Sequence, residues 1–441
     1  MNALNLSLNE SKTKIGTLSK KKITEVSKKC GFAQRRSGKI KAFSLILSFM
    51  VMMSAGNKSY WDWARTLSSI IGTSVSKQAV SSRMTSEWTA TIKELLREVI
   101  AIQSRHKVKN KLFCHFPNVW LQNSTSLHLP DILFKRFQGN FSRGLRKAVA
   151  KLNVVVNVMN GQCVQMEWMS FKVNEQSLAN RSIKGIQAGD LLIRDLGYFV
   201  LDCFKHLIKS GIYFLSRLKG PLNIYDARTG KKIELRKLLK GKTRVDRAVL
   251  LGTRKDLKVR LVAIKLSDSI ANERRRKAKD KMEKDGRLNH SKEYYQLLGY
   301  IIFITNVEKD IWNYKQVAEA YRVRWNIEIL FKSWKSGFQI QELIPEARTQ
   351  TERVESILYL MLIYIAWFLM LIYIPLRWAK ELKGKRLSLI KTVKFVADNL
   401  MNWITMKLDQ KERKQIIYYC SYDTRHDRTN AIERLEQFYD Y

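Results

Sequence analysis

Residues 189–218 read GDLLIRDLGYFVLDCFKHLIKSGIYFLSRL. The apolar run after Asp190 is short and bounded by glycines, and it reads as a buried strand ending at a turn that carries Asp195 and Gly197. Val200–Lys209 has apolar residues at helical spacing, and Ile212–Leu218 is a further strand. Upstream, Val119–His128, Leu152–Met159 and Val164–Val173 read as three more strands. The pair Asn160-Gly161 suits a hairpin turn between the last two. Asn174–Ile186 reads as a helix. Three strands in a meander, then helix, strand, helix and strand, make an α/β domain.

That order is the one expected of an RNase-H-like core. Residues 220–295 interrupt it. Asp226–Lys231 reads as a turn between short strands and Arg247–Leu266 as β structure. Glu273–Glu293 is a densely charged stretch holding Arg274, Arg275, Arg276, Lys277, Lys279, Lys281 and Lys284. By itself it is a solvated helix; beside DNA it would be a phosphate track. The α/β pattern resumes with Gly299–Val307 and one long helix from about Tyr314 to Gly337. Ahead of the core, Lys41–Met53 and Tyr60–Ile71 are helical, and Gly72 stops the second. Ser76 suits the N-cap of a short helix, Lys77–Met84, that would present Lys77, Gln78 and Arg83 to DNA. A helix, a glycine turn and a short basic helix have the shape of a helix-turn-helix.

Composition narrows the partners. The chain has 441 residues, with 80 Lys+Arg against 39 Asp+Glu, a formal charge of +41. Such a surplus attracts polyanions, either nucleic acid or an anionic membrane surface. Residues 1–40 hold ten Lys/Arg and only two acids, Glu10 and Glu25, which reads as a basic arm able to lie along phosphates. The five cysteines, Cys30, Cys114, Cys163, Cys203 and Cys420, show no zinc spacing and fit a reducing cytoplasm. The N-terminal residues do not read as a signal peptide. Ile357–Ile374 is uncharged and about the minimum length of a membrane span. A helix apolar all round is equally expected in a large core or an oligomer interface, and this lone run, with tyrosines near its middle, is read as a buried helix.

The long helix contains YRVRWNIEILFKSWK, residues 321–335. At 3.6 residues per turn, Tyr321, Arg324, Glu328 and Lys335 fall within about 60° of one another. Ile327, Leu330, Phe331, Trp334 and Phe338 form a separate apolar stripe that packs on a sheet. The string is similar to the Y-x2-R-x3-E-x6-K signature of the insertion-sequence-4 family of bacterial transposases, of the DDE class. The likeness runs from about residue 110 to 376.

In that family Glu328 would be the third metal-binding carboxylate, and Tyr321, Arg324 and Lys335 would hold phosphates of the transposon end. The second carboxylate maps to Asp195, at the end of a strand and before Gly197-Tyr198. Asp190, five residues earlier, points to the opposite face of that strand. The first position departs from the family. Its members carry Asp-Ser-Thr shortly before Leu-Pro, whereas this chain has Asn123-Ser124-Thr125 before Leu129-Pro130. An amide oxygen carries no charge to bridge two cations. Asp131 is too far along the strand to substitute.

The resemblance implies an RNase-H-like catalytic domain interrupted by a β-rich insertion, with a helical N-terminal DNA-binding domain and a helical C-terminal region. The expected boundaries are 1–110 for the arm and DNA-binding domain, 111–219 and 299–376 for the core, 220–298 for the insertion, and 377–441 for a C-terminal region able to dimerise. It implies cut-and-paste transposition with two Mg²⁺ (or Mn²⁺) ions held by Asp195, Glu328 and position 123. The partners are double-stranded DNA, as terminal inverted repeats and target, and a second copy of the chain; no membrane is involved. The setting is the bacterial cytoplasm at the nucleoid. The alternative is a DNA-binding relic whose cleavage is impaired by Asn123.

Overall fold

A computed structural model describes residues 19–33, 39–101, 110–142, 145–180, 185–220, 222–284, 289–340, 350–381, 387–398, 400–404, 415–416 and 418–421. Much of the basic arm and most of 377–441 lie outside these residues.

Five helices come first among the described residues: α1 (Lys20–Lys29), α2 (Ala42–Ser54), α3 (Tyr60–Ile71), α4 (Lys77–Ser81) and α5 (Ser86–Ala101). Gly72 ends α3 at φ 69°, a left-handed conformation that glycine adopts without a Cβ clash. Ser76 caps α4 by accepting from the Ala79 N–H. The described part of the arm is a docked helix, not an extended strand of charge. Ile23 and Val26 of α1 are buried, and Lys22 and Lys29 pair with Glu98 and Glu94 of α5.

The core is one ten-stranded sheet. Its strands are β1 (Val119–Leu129), β2 (Gln138–Ser142), β3 (Leu145–Asn157), β4 (Cys163–Ser170), β5 (Leu191–Arg194), β6 (Tyr213–Arg217), β7 (Ile224–Asp226), β8 (Arg244–Leu251), β9 (Leu257–Lys265) and β10 (Tyr300–Thr305). They lie in the order β2-β3-β1-β5-β6-β10-β9-β8-β7, with β4 also on β3. β1, β5 and β6 are parallel; β3 and β10 run against them on either side. Helix α6 (Leu201–Lys209) makes the crossover from β5 to β6. The strands of residues 220–298 extend this same sheet, because β9 pairs with β10. The charged stretch forms α7 (Asp268–Lys284). After β10 come α8 (Tyr314–Arg322), α9 (Trp325–Ser336) and α10 (Thr351–Phe368).

The apolar run is the hub of the molecule. The helical stretch Thr351–Arg377 is long and apolar enough to cross a membrane, and its most apolar window is 94% buried within the fold. Ser356 bonds Thr89 of α5 at 2.8 Å, and the Trp168 indole of β4 donates to the Leu358 carbonyl at 3.2 Å. Both apolar sides are therefore taken up by protein.

Three expectations need correction. The helix expected over Asn174–Ile186 is a single turn, Glu175–Leu178, capped by Asn174. Farther on, Gly185 and Gly189 adopt φ 92° and 87°, which no continuing right-handed helix allows. The link from β3 to β4 spans residues 158–162 rather than two residues, with Gly161 at φ 72°. The helix expected from Tyr314 to Gly337 is two helices. At the junction the hydrogen bonds tighten to i→i−3, from Val323 N to Ala320 O and from Arg324 N to Tyr321 O. A tightened turn rotates the residues after it by roughly 20° per residue relative to an α-helix. Tyr321 consequently turns into the core while Arg324 and Glu328 face outward.

Candidate active site

The parallel register pairs Gln122 of β1 with Arg194 of β5, so the next residues, Asn123 and Asp195, stand side by side where β5 ends and β1 runs on. Alternation places both on the face that packs against α8 and α9, since Leu121 and Ile193 join the same core as Ile327 and Phe331. Glu328 enters from above, in the first turn of α9.

Arg324 ties the two carboxylates together. Its Nη1 is 2.6 Å from Glu328 Oε1, and its Nε is 3.8 Å from Asp195 Oδ1. Burial works against the charge of Arg324, but Asp195, Tyr321 and Glu328 outweigh it and raise its pKa overall. Asp195 and Glu328 remain partly open, with side-chain exposures of 40% and 35%.

Tyr321 does not share their outward face. Its ring is buried, with its centroid 5.2 Å from that of Phe303. The guanidinium carbon of Arg324 is 5.9 Å from the ring centre. Burial pushes the phenol up to about 12. Neither Tyr321 Oη nor Arg324 Nε has a hydrogen-bond partner of good geometry, which leaves two donors beside the carboxylates. Lys335 is one wall of an open cleft of about 620 Å³, lined also by Asn123, Ser124, Glu328, Phe331, Lys332 and Ser336.

Asn123 uses its amide oxygen on its own neighbour, accepting from the Ser124 N–H at 2.8 Å. Asp131 is engaged elsewhere, with Lys147 at 2.9 Å and the Ala148 N–H at 3.2 Å. Asp190 is structural: it is buried and accepts from Asn118, the Trp120 indole and the Gln187 N–H.

One carboxylate is absent from the motif reading. Glu175 accepts a short hydrogen bond from the Ser124 hydroxyl, and a Cβ at Gly197 would collide with its Oε2. It therefore presses on the turn after Asp195 from the other face of the sheet, with Lys151 at 3.9 Å. No sequence spacing signals this, because the strands that bring 124, 175 and 197 together are far apart in the chain.

Lys77 and Gln78 are exposed on α4 and do not line the cleft. Arg83 is half-buried and donates to the Ile40 carbonyl at 3.2 Å, so it fastens the helices to one another.

The donor set suits one divalent cation. Mg²⁺ is commonly held by one or two carboxylates, with water and phosphate oxygens completing its shell. Asp195 and Glu328 supply two carboxylates around a single guanidinium. A second ion would rest on the neutral amide of Asn123, and among the described residues no group of three or more His, Cys, Asp and Glu side chains is placed to hold a metal.

The transposase DDE domain matches residues 124–364, starting one position after Asn123. The transposase for insertion sequence element IS231F of Bacillus thuringiensis subsp. israelensis is 27% identical over 358 residues, 76% of this chain and 73% of that one. The transposase for IS1151 of Clostridium perfringens is 26% identical over 336 residues, 71% of this chain and 70% of that one. The solved piggyBac transposase synaptic complex with hairpin DNA aligns over 90% of this chain and 82% of its own at 9% identity, with a TM-score of 0.46. The match to more than half its length places this chain in the family of DDE-domain transposases.

Proposed function

We propose that the chain is a cut-and-paste transposase of the insertion-sequence-4 type, built on an RNase-H-like core, that binds the terminal inverted repeats of its element. The observation that carries this reading is Arg324 held between Asp195, at the end of parallel strand β5, and Glu328. The parallel β1-β5-β6 core, flanked by antiparallel β3, supports the fold assignment. Lys77 and Gln78 of α4, exposed after a glycine turn, serve the repeats, and the protein works as a dimer on two ends in the bacterial cytoplasm, at the nucleoid.

The reaction is hydrolysis of a phosphodiester followed by transfer of the freed 3′-hydroxyl to target DNA. Asp195 and Glu328 would hold Mg²⁺ or Mn²⁺, which when bound polarises the phosphate and activates the attacking oxygen. The chain's own residues do the rest. Lys335 and Lys332, on the cleft wall, hold backbone phosphates as point charges. Arg324 fixes the directions of both carboxylates, with its Nη1 on Glu328 and its Nε toward Asp195. Tyr321 braces Arg324 from the core side.

A second reading has one observation in its favour. With an amide at Asn123, the site lacks the anion that would sit beside Asp195, and the chain then binds repeat DNA while cutting it slowly. Cleavage of terminal-repeat DNA with Mg²⁺ or Mn²⁺ by the natural chain and by Asn123→Asp separates the two. Cutting by the natural chain that Glu328→Gln abolishes supports the active enzyme. Binding with cutting only after the change supports the impaired one. No binding to repeats by either would sink the transposase assignment.

A further inference from the structure

Helix α7 has an inner and an outer side. Ala271 and Ala278 are buried, and the residues flanking them dock the helix: Arg274 donates to the Tyr300 carbonyl at 3.3 Å and Arg275 to that of Tyr295 at 3.1 Å. Beyond this contact, Arg274, Lys277, Lys281 and Lys284 follow at i, i+3, i+7 and i+10, which keeps them within roughly 80° of one another. The three lysines are exposed. Lys277 is matched by Glu273 at 2.6 Å, an exposed pair that a stronger anion displaces readily. Among the described residues, Arg274, Lys281 and Lys284 have no carboxylate within ion-pair distance.

The inner end of this stripe reaches toward the carboxylate site. Arg217 ends β6 opposite Phe303, the residue whose ring packs on Tyr321. Arg217 also lies close enough to Arg274 for its charge, after burial, to disfavour the Arg274 cation. Like Arg274, Arg217 is a guanidinium without an ion pair among the described residues, and an anion near either lowers the energy. From Arg274 to Lys284 the helix rises roughly 15 Å, a little over four phosphate-to-phosphate steps along one strand of a duplex.

Resting on the transposase reading, we infer that α7 and Arg217 form a second DNA surface, a track for the sugar-phosphate backbone of duplex DNA running away from the carboxylate site. The track reads charge and spacing and carries no base preference.

The test is the salt dependence of duplex binding, followed by fluorescence anisotropy with terminal-repeat and scrambled duplexes. The full chain is compared with the triple variant K277Q/K281Q/K284Q and with K231Q/K232Q/K240Q, which removes equal charge from exposed lysines elsewhere. The K277Q/K281Q/K284Q variant should show a slope of log affinity against log salt shallower by about 2 to 3, at roughly 0.9 per phosphate contact. Its preference for repeat over scrambled DNA should not change, and its melting temperature should match that of the natural chain. An unchanged slope overturns the inference, as does an equal loss in the control variant, while the transposase reading survives both. A natural chain that binds neither duplex overturns both.

Discussion

Arg324 Nη1 lies 2.6 Å from Glu328 Oε1, one helical turn along, and the same guanidinium reaches Asp195. Replacing it leaves two carboxylates facing each other without a shared cation. Arg324→Ala should lower repeat cleavage by at least about 100-fold, on the scale of losing one preorganised charge partner. Arg324→Lys should not restore it, because an ammonium cannot serve two carboxylates as a planar fork does. Single-turnover cleavage assays check both; wild-type rates in the lysine variant would count against the bridging role.

Asn123 stands beside Asp195 with an amide where the proposed mechanism would place an acid. Asn123→Asp should raise metal-dependent cleavage by about 100-fold or more, corresponding to roughly 3 kcal/mol of transition-state stabilisation. It should also tighten Mn²⁺ binding followed by calorimetry, a readout that does not depend on cutting. No gain in either would show that the amide position is not part of the metal site.

Tyr321 is buried, with no good hydrogen bond to its hydroxyl. Tyr321→Phe should therefore leave the melting temperature unchanged or slightly higher, since it removes an unsatisfied group. Tyr321→Ala should cost about 3–5 kcal/mol in denaturant unfolding, the usual range for emptying an aromatic site. If Phe destabilises as much as Ala, the hydroxyl is bonded in solution.

Leu362 lies at the middle of α10 with no exposure. Leu362→Ala should cost about 2–5 kcal/mol, measured by urea unfolding in buffer without detergent. A chain that stays soluble only in detergent, and that tolerates this change, would argue for a membrane span instead.

The cysteines differ in access. Burial pushes Cys163 up to about 12, so at pH 8 its thiolate fraction is roughly one in ten thousand. Cys114 is exposed. Brief alkylation of the native protein at pH 8 should label Cys114 and spare Cys163, Cys203 and Cys420 by mass spectrometry. Early labelling of Cys163 would mean that β4 opens readily.

The strands that carry Asn123 and Asp195 were legible because their apolar alternation and flanking glycines are local signals. So was the buried character of the Ile357–Ile374 run, by its solitude and the tyrosines near its middle. The face of Tyr321, Arg324, Glu328 and Lys335 was only partly so. Ideal helical spacing puts all four together, but the tightened turn at Val323 sends Tyr321 inward, and no residue there announces the change. Glu175 was invisible, because its role comes from three segments meeting across a sheet. The continuation of the sheet into residues 220–298 was equally hidden: period-2 alternation marks a strand without naming its neighbour.

That continuation bears on how the molecule comes apart. β10 comes after the intervening residues in the chain yet lies between β6 and β9, with partners along both edges. The helices bearing Arg324 and Glu328 hang from the end of that strand. Cutting out residues 220–298 would strip one side of the mooring and leave the outer edge of β10 unpaired, two strands from β5. The intervening segment and the two halves of the core should thus melt in a single transition, and the segment serves the site as a splint.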